Sequence, residues 1–177
     1  AIFHLGACSD TTEWDGRYMM DNNYQFSKEA LEIAITYEIP FIYASSAAVY
    51  GIPAQLPLAE TAHIAPLSPY GLEKWINERY AELYKTLYSL SGLGLRYFNV
   101  YGPRQDPHSP YAGVIARFID CLVEQRAPQL FGDGRQTRDF IYVGDVARAN
   151  LAALMANQGG VCNVATGERT SLLELLS

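Results

Sequence analysis

The sequence lacks the features that would place it among membrane, secreted or nucleic-acid-binding proteins. It has no apolar run long enough to cross a membrane and no amino-terminal signal peptide. Its three cysteines, Cys8, Cys121 and Cys162, are far apart, so they predict neither a disulfide framework nor a metal site and suit a reducing cytoplasm. The 13 basic residues are scattered and the net charge is −6, which argues against a nucleic-acid surface.

The composition does provide material for a hydrophobic core. Apolar residues make up 49% of the sequence and charged residues only 18%, which is typical of an ordered globular protein. The chain opens on an apolar run without an initiator methionine and closes just after a capping box of Ser171 and Glu174. From these two ends we expect an excerpt of a longer protein.

Tyr70 and Lys74 are the pair around which the chemistry of the chain is organised. They are four residues apart at the start of a predicted helix, which places both side chains on one face. A phenol titrates near pH ~10, and a neighbouring ammonium would stabilise its anion. A serine from another segment would complete a proton-transfer set, although a tyrosine–lysine pair alone is common in helices.

Strands and helices alternate in the first part of the chain. Apolar runs predict strands over 2–7, 41–44 and 95–100, and helical periodicity predicts helices over 18–37 and 70–88. This order is typical of a doubly wound parallel sheet. The predicted inward positions are Met20, Tyr24, Leu31, Ala34 and Ile35 in the first helix, and Leu72, Trp75, Ile76, Tyr80, Leu83 and Leu87 in the second.

Small and polar residues follow the predicted strands where each one ends. They are Gly6 and Ala7, then Ser45 and Ser46, then Asn99. Right-handed crossovers bring the carboxyl ends of parallel strands to one edge of a sheet, where ligands bind. We therefore expect a binding site at this edge.

The pattern changes after residue 103, where we place a domain boundary. Residues 1–103 form the sheet domain and residues 104–177 a smaller lobe. Within the lobe the sequence predicts a helix over 111–126, a strand over 138–143, and a helix capped by Asp145 that ends near Met155.

Five ordered motifs resemble one family. They are FHLGA, SSAAVYG, SPYGLEK, RYFNVYGPR and RDFIYVGDV. Together they resemble the extended short-chain dehydrogenases/reductases, and specifically the nucleotide-sugar epimerases, over essentially the whole chain. The resemblance implies an α/β fold: part of a Rossmann domain in 1–103 and part of a nucleotide-sugar-binding lobe in 104–177. It also implies a bound NAD or NADP that takes a hydride from the sugar and returns it to the opposite face.

The resemblance assigns roles residue by residue. Tyr70 is implied as the catalytic base, Lys74 as its partner and the anchor of the cofactor ribose, and Ser46 as the hydroxyl that shares the reacting proton. Further cofactor-binding positions are Leu5, Gly6, Ala7, Cys8, Ser9, Asn22 and Val100. Further substrate-binding positions are Asn99, His108, Arg117, Phe131, Gly132, Asp133, Gly134 and Arg138. A guanidinium such as that of Arg138 suits a pyrophosphate because it forms paired hydrogen bonds.

The chain resembles two subfamilies, so the sequence does not identify the sugar substrate. The first 43 residues resemble the ADP-glycero-manno-heptose 6-epimerases. The chain from SPYGLEK onward is more similar to UDP-hexose and UDP-N-acetylhexosamine 4-epimerases. We favour the interpretation as a 4-epimerase. The heptose enzymes carry a second catalytic lysine where this chain has His108, which is either a replacement base or a solvated loop residue. Dehydratases of the group carry an Asp-Glu pair where this chain has Ala47 and Ala48. A reductase and a non-catalytic relative are further alternatives.

The glycine-rich turn that binds the cofactor pyrophosphate has no counterpart in these residues. These residues also contain no counterpart of the residue that would select NAD or NADP. We therefore expect the 177-residue chain alone to bind dinucleotide weakly and to be inactive. The resemblance also implies a homodimer through the helices over 18–37 and 70–88, whose aromatic content is compatible with an interface.

Overall fold

The computed structural model describes residues 1–109, 111–156 and 158–177. Among them, no helix combines the length and the apolar character needed to span a membrane. In chain order the elements are β1 (Ile2–His4), α1 (Gly16–Met19), a π-helical segment (Met20–Gln25), α2 (Phe26–Thr36), β2 (Phe41–Ser46), a 3-10 turn (Ala47–Tyr50), α3 (Pro69–Tyr88), β3 (Gly92–Tyr97), β4 (Asn99–Tyr101), α4 (Val114–Val123), β5 (Thr137–Arg138), β6 (Phe140–Tyr142), α5 (Val143–Ala156), β7 (Gly160–Val164), β8 (Thr170–Ser171) and α6 (Leu172–Leu176).

The chain forms two compact units. The first contains Ala1–Tyr97 and Arg148–Val164, and the second contains Phe98–Ala147 and Ala165–Ser177. The sequence-based division at residue 103 differs from this arrangement because the chain returns to the first unit after leaving it. The reason is the pairing of β7 with β3, which the sequence did not predict.

A parallel four-stranded sheet organises the first unit. Its strand order is β1-β2-β3-β7, and every neighbouring pair is parallel. This arrangement confirms the predicted α/β class with a partial Rossmann sheet. The carboxyl ends of β1 and β2 lie at the same edge because His4 pairs with Tyr43 in a parallel register.

The helical stretch from α1 to α2 packs on one face of this sheet. Leu31 and Ala34 join Phe41 and Tyr43 in the buried cluster. Met20 was predicted to face inward and is exposed instead. The π-helical segment that begins there has i→i+5 hydrogen bonds, which change the helical phase and turn Met19 and Asn23 inward.

Helix α3 begins with a complete set of start signals. The Ser68 side chain accepts a hydrogen bond from the Gly71 amide, and Pro69 occupies the first helical position. The predicted inward stripe was wrong at the three leucines, Leu72, Leu83 and Leu87, which are all exposed. The buried side of α3 is instead polar and contains Glu73, Lys74, Asn77 and Glu78 beside Gly71.

Strand β3 contains two glycines that the sequence analysis placed outside it. A Cβ at Gly92 would come within 2.7 Å of the Phe41 carbonyl oxygen, and one at Gly94 within 2.5 Å of the Tyr43 ring. The absence of side chains therefore lets β3 pair with β2 beside two large aromatic residues. The strand predicted over 95–100 is also divided, because β3 ends at Tyr97 and β4 belongs to the second unit.

The second unit contains two small sheets. Strands β4 and β6 are parallel, and β5 and β8 are antiparallel. The strand predicted over 138–143 is interrupted at Asp139, and the predicted helix over 111–126 corresponds to the shorter α4. Asp145 lies within the first turn of α5 rather than at its cap, because that helix begins at Val143. The capping box of Ser171 and Glu174 is confirmed.

Candidate active site

Ser46 and Tyr70 come together because two short segments pack tightly. Ser46 ends β2 and caps the following 3-10 turn, its side chain accepting from the Ala48 amide at 3.2 Å. A Cβ at Gly71 would lie 2.7 Å from the Ala48 carbonyl oxygen, so only glycine lets α3 approach this closely. The Ser46 side chain lies near enough to the neighbouring Tyr70 hydroxyl to lower the pKa of that phenol.

Burial raises the pKa of Tyr70 above its usual value, and the Ser46 side chain works in the opposite direction. The phenol is therefore protonated at neutral pH in the free chain. To accept a proton from a substrate, Tyr70 needs further positive charge near its oxygen.

Lys74 supplies a cation on the same helix. It is only 3% exposed, and its Nζ donates a hydrogen bond to the Ala44 carbonyl oxygen at 3.0 Å. The same Nζ lies 5.7 Å from the centre of the Tyr70 ring. Burial lowers the pKa of Lys74 to about 8, while the charge of Glu73 opposes this shift.

The segment after β1 supplies most of the predicted cofactor positions. Leu5, Gly6 and Ser9 are exposed, and Ala7 and Cys8 are half-buried. A Cβ built on Gly6 would meet no atom within 4 Å, so the strand end opens onto free space.

Asn22 was predicted to touch the cofactor, and in the structure it is exposed and donates to the Tyr18 carbonyl oxygen. Its neighbour Asn23 is the residue that reaches the segment after β1. The Asn23 Oδ1 accepts from the Cys8 amide at 2.7 Å, and Asn23 Nδ2 donates to the Cys8 carbonyl oxygen at 3.0 Å. Sequence reasoning missed Asn23; its spacing of four residues from the buried Met19 is the signal that could have found it.

These residues fit the nicotinamide-ribose end of a dinucleotide. The space over Gly6 is open, and the buried Lys74 ammonium can donate to a sugar hydroxyl. Together with Ser46 and Tyr70, this arrangement provides proton donors and acceptors next to a sheet edge where a ligand can approach.

The remaining candidates lie in the second unit, along with Val100 in β4. Asn99 is held by Asp139, whose carbonyl oxygen accepts from the Asn99 amide at 3.1 Å and from its Nδ2 at 2.9 Å. Arg138 is exposed, with its Nη1 donating to the Thr137 carbonyl oxygen at 2.9 Å. Arg117 is exposed on α4.

The other two features of this unit are a loop histidine and a turn. His108 is exposed, with its Nε2 3.8 Å from Asp120 Oδ1. In the turn from Phe131 to Gly134, Phe131 and Asp133 are exposed, and both glycines have positive φ angles of 83° and 74°.

Comparison with known proteins agrees with this geometry. The sequence profile of the NAD dependent epimerase/dehydratase family matches residues 1–165. The chain belongs to this family. Solved structures of the family superpose on it closely, which confirms the resemblance found in the sequence motifs.

Three of these structures illustrate the range of relatives. UDP-N-acetylglucosamine 4-epimerase from Methanobrevibacter ruminantium is 38% identical, with a TM-score of 0.95, over 98% of this chain and 57% of that one. UDP-glucose 4-epimerase from Thermotoga maritima is 38% identical, with a TM-score of 0.91 and the same coverage. ADP-L-glycero-D-manno-heptose-6-epimerase from Helicobacter pylori is 35% identical, with a TM-score of 0.89, over 98% of this chain and 55% of that one. The chain thus spans little more than half the length of these relatives.

Proposed function

We propose that the whole protein is an NAD-dependent epimerase of a nucleotide-diphosphate sugar, with a UDP-hexose 4-epimerase activity. The observation that carries this proposal is the arrangement of Ser46, Tyr70 and Lys74 beside the open end of β1. Two relatives solved with NAD bound, the UDP-glucuronic acid 4-epimerase from Bacillus cereus and the UDP-glucose 4-epimerase from Brucella ovis, support the choice of cofactor.

Tyr70, Ser46 and Lys74 have different roles in proton transfer. Tyr70 accepts the proton of the sugar hydroxyl that is oxidised and later returns it to the keto group. Ser46 shares this proton because its side chain lies near the Tyr70 hydroxyl. Lys74 holds the ribose and contributes the positive charge that favours the phenolate. NAD, when bound, accepts the hydride from the sugar carbon and gives it back.

The test is an assay of the whole protein with NAD, following UDP-galactose and UDP-N-acetylglucosamine by NMR. We expect interconversion of the 4-epimers without net consumption of NADH or NADPH. Steady consumption of NADPH in step with product would instead identify a reductase. Absence of conversion of any nucleotide sugar, with intact dinucleotide binding, would favour a non-catalytic relative.

A heptose 6-epimerase is the second candidate, and the Helicobacter pylori relative supports it. Its two-base mechanism would need a second base, for which this chain offers His108. That imidazole is 74% exposed and faces Asp120. Incubation with ADP-D-glycero-D-manno-heptose alongside the UDP-sugars separates the two candidates, since turnover of the heptose alone would exclude the 4-epimerase proposal.

We also propose that the whole protein is a homodimer that pairs through α2 and α3. Apolar residues lie exposed on both helices at helical spacing, namely Phe26 and Ile33 on α2, with Tyr37 directly after its end, and Leu72, Leu83 and Leu87 on α3. Apolar surface of this kind on a soluble protein marks an interaction site.

Replacing both Leu83 and Leu87 with glutamate should therefore separate the dimer, because two charges would be buried in an apolar contact. Light scattering coupled to gel filtration should give about half the mass of the unchanged protein, as a dimer has two subunits. Lys85→Glu, which changes the charge on another side of α3, is the control. An unchanged mass in the double variant would contradict the interface.

The three cysteines are free thiols, and all are half-buried. Free thiols persist in reducing compartments. We therefore propose a cytoplasmic location, which the presence of the protein in a cytosolic cell fraction would test.

A further inference from the structure

Glu73 is a buried acid that the proposed reaction does not use. It precedes Lys74 on α3 and is only 3% exposed. Burying a carboxylate is unfavourable unless close partners compensate its charge. Its partner here is Asn23, whose Nδ2 donates to Glu73 Oε2 at 2.7 Å. The position of this acid and the unfavourable burial of its charge point to a role beside the active site.

The contact between Glu73 and Asn23 extends to the cofactor segment. The same Asn23 amide group binds the amide and the carbonyl oxygen of Cys8. One side chain thus joins the segment after β1, the π-helical segment and α3. A carboxylate can only accept, so it turns Asn23 Nδ2 toward itself and leaves Oδ1 for the Cys8 amide. Glu73 therefore acts together with the Cys8 backbone to fix which way the asparagine faces.

Glu73 is also the acid whose charge acts on Lys74. The other groups around this lysine are the Tyr70 ring on α3, the Ala44 carbonyl oxygen on β2 and His4 on β1. Burial and the charge of Lys74 lower the pKa of His4 to about 4, so the imidazole is neutral at pH 7. The negative charge that raises the pKa of Lys74 against its burial is that of Glu73.

We propose that Glu73 is a positioning residue that holds the Cys8 segment through Asn23 and keeps Lys74 charged beside Tyr70. The carboxylate performs the first task by hydrogen bonding and the second by charge. The relevance of both tasks to turnover rests on the proposed function. Both can be measured without turnover.

The experiment compares two variants of the whole protein. Glu73→Gln keeps an acceptor for Asn23 and removes the charge, whereas Glu73→Leu removes both. Glu82→Gln is the matched control, since Glu82 is an exposed acid on the same helix that pairs with Arg79. For each protein, the titration of Lys74 is followed by NMR of labelled lysine side chains, assigned with Lys74→Arg. The dissociation constant for NAD is measured by calorimetry.

We expect Lys74 to titrate about one pH unit lower in Glu73→Gln and in Glu73→Leu, because an opposite charge is lost at close range. Glu82→Gln should leave this titration unchanged. NAD binding should weaken roughly tenfold in Glu73→Leu, the equivalent of one hydrogen bond, and remain within about threefold in Glu73→Gln. The alkaline limb of the pH–rate profile should move down with the lysine titration.

The proposal is overturned if Lys74 titrates alike in Glu73→Gln and Glu82→Gln, or if Glu73→Leu binds NAD as tightly as the unchanged protein. Failure of the whole protein to epimerise any sugar would contradict the proposed function alone. The lysine titration would then still decide the role of Glu73, because it requires no substrate.

Discussion

Replacing Tyr70 with phenylalanine will lower the turnover number for the nucleotide sugar by about 10²–10⁴-fold, the usual contribution of a positioned acid–base group. The variant loses only the phenolic hydroxyl, whose pKa the nearby Ser46 side chain lowers. The ring stays, so its packing against the 3-10 turn and NAD affinity should remain. Steady-state kinetics of the whole protein, with calorimetry of NAD binding, measures both.

The control for this variant is Tyr88→Phe, the same change at an exposed position of α3. It should leave turnover within about twofold, as surface substitutions generally have small effects. A Tyr70→Phe enzyme with more than a tenth of the original turnover would contradict the role of Tyr70 as the base. The rate of the unchanged enzyme should rise with pH as the phenolate of Tyr70 becomes more populated, and it should fall again above pH about 8, where Lys74 loses the charge that stabilises this phenolate.

Replacing Arg96 with methionine will lower the free energy of unfolding by about 3–5 kcal/mol, because it leaves a buried carboxylate without its counter-ion. Arg96 Nε and Nη2 donate to the two oxygens of Glu78 at 2.8 and 2.6 Å, and both side chains are almost fully buried. Arg96 Nη1 also donates to the Tyr50 hydroxyl at 2.7 Å. Denaturant unfolding followed by circular dichroism measures the loss.

Two further variants make this prediction specific. Arg79→Met breaks the exposed pair with Glu82 and should cost at most about 1 kcal/mol. Combining Arg96→Met with Glu78→Leu should restore much of the lost stability, since apolar replacement of a whole buried pair is often neutral. If Arg96→Met were no less stable than Arg79→Met, the buried ion pair would not contribute as described.

The sequence analysis correctly predicted structural features that depend on residues close together in the chain. Helix α3 was placed within one residue of its observed start, because Ser68 and Pro69 are local start signals. The capping box at Ser171 was found for the same reason. The grouping of Ser46 with Tyr70 followed from ordered motifs and from the geometry of parallel sheets, and in the structure the Ser46 side chain lies near enough to Tyr70 to lower the pKa of its phenol.

Features that depend on distant partners escaped the sequence analysis. The partner of Glu73 is 50 residues away in the chain and a bidentate partner of Glu78 is 18 residues away, so the inward positions predicted from periodicity did not include these acids. Likewise, the predicted strand began only after Gly94, although the Tyr43 ring on the adjacent strand is what requires a glycine there. Strand β7 pairs with β3, from which it is separated in the chain by residues of the second unit. No local sequence signal indicates this pairing.

The polar underside of α3 also determines the rotation of this helix about its own axis. Turning α3 by about 100°, one residue step, would carry the exposed leucine stripe toward the sheet, and hydrophobic burial alone would favour that direction. It would also pull Glu73, Asn77 and Glu78 away from the partners that fix them. Directional hydrogen bonds, together with the contacts of Tyr80, Ala81 and Tyr84 with the buried cluster, therefore select the orientation in which Tyr70 lies near Ser46. A redesigned α3 with an apolar buried side would remain helical, but the hydrogen bonds that orient Tyr70 would be lost.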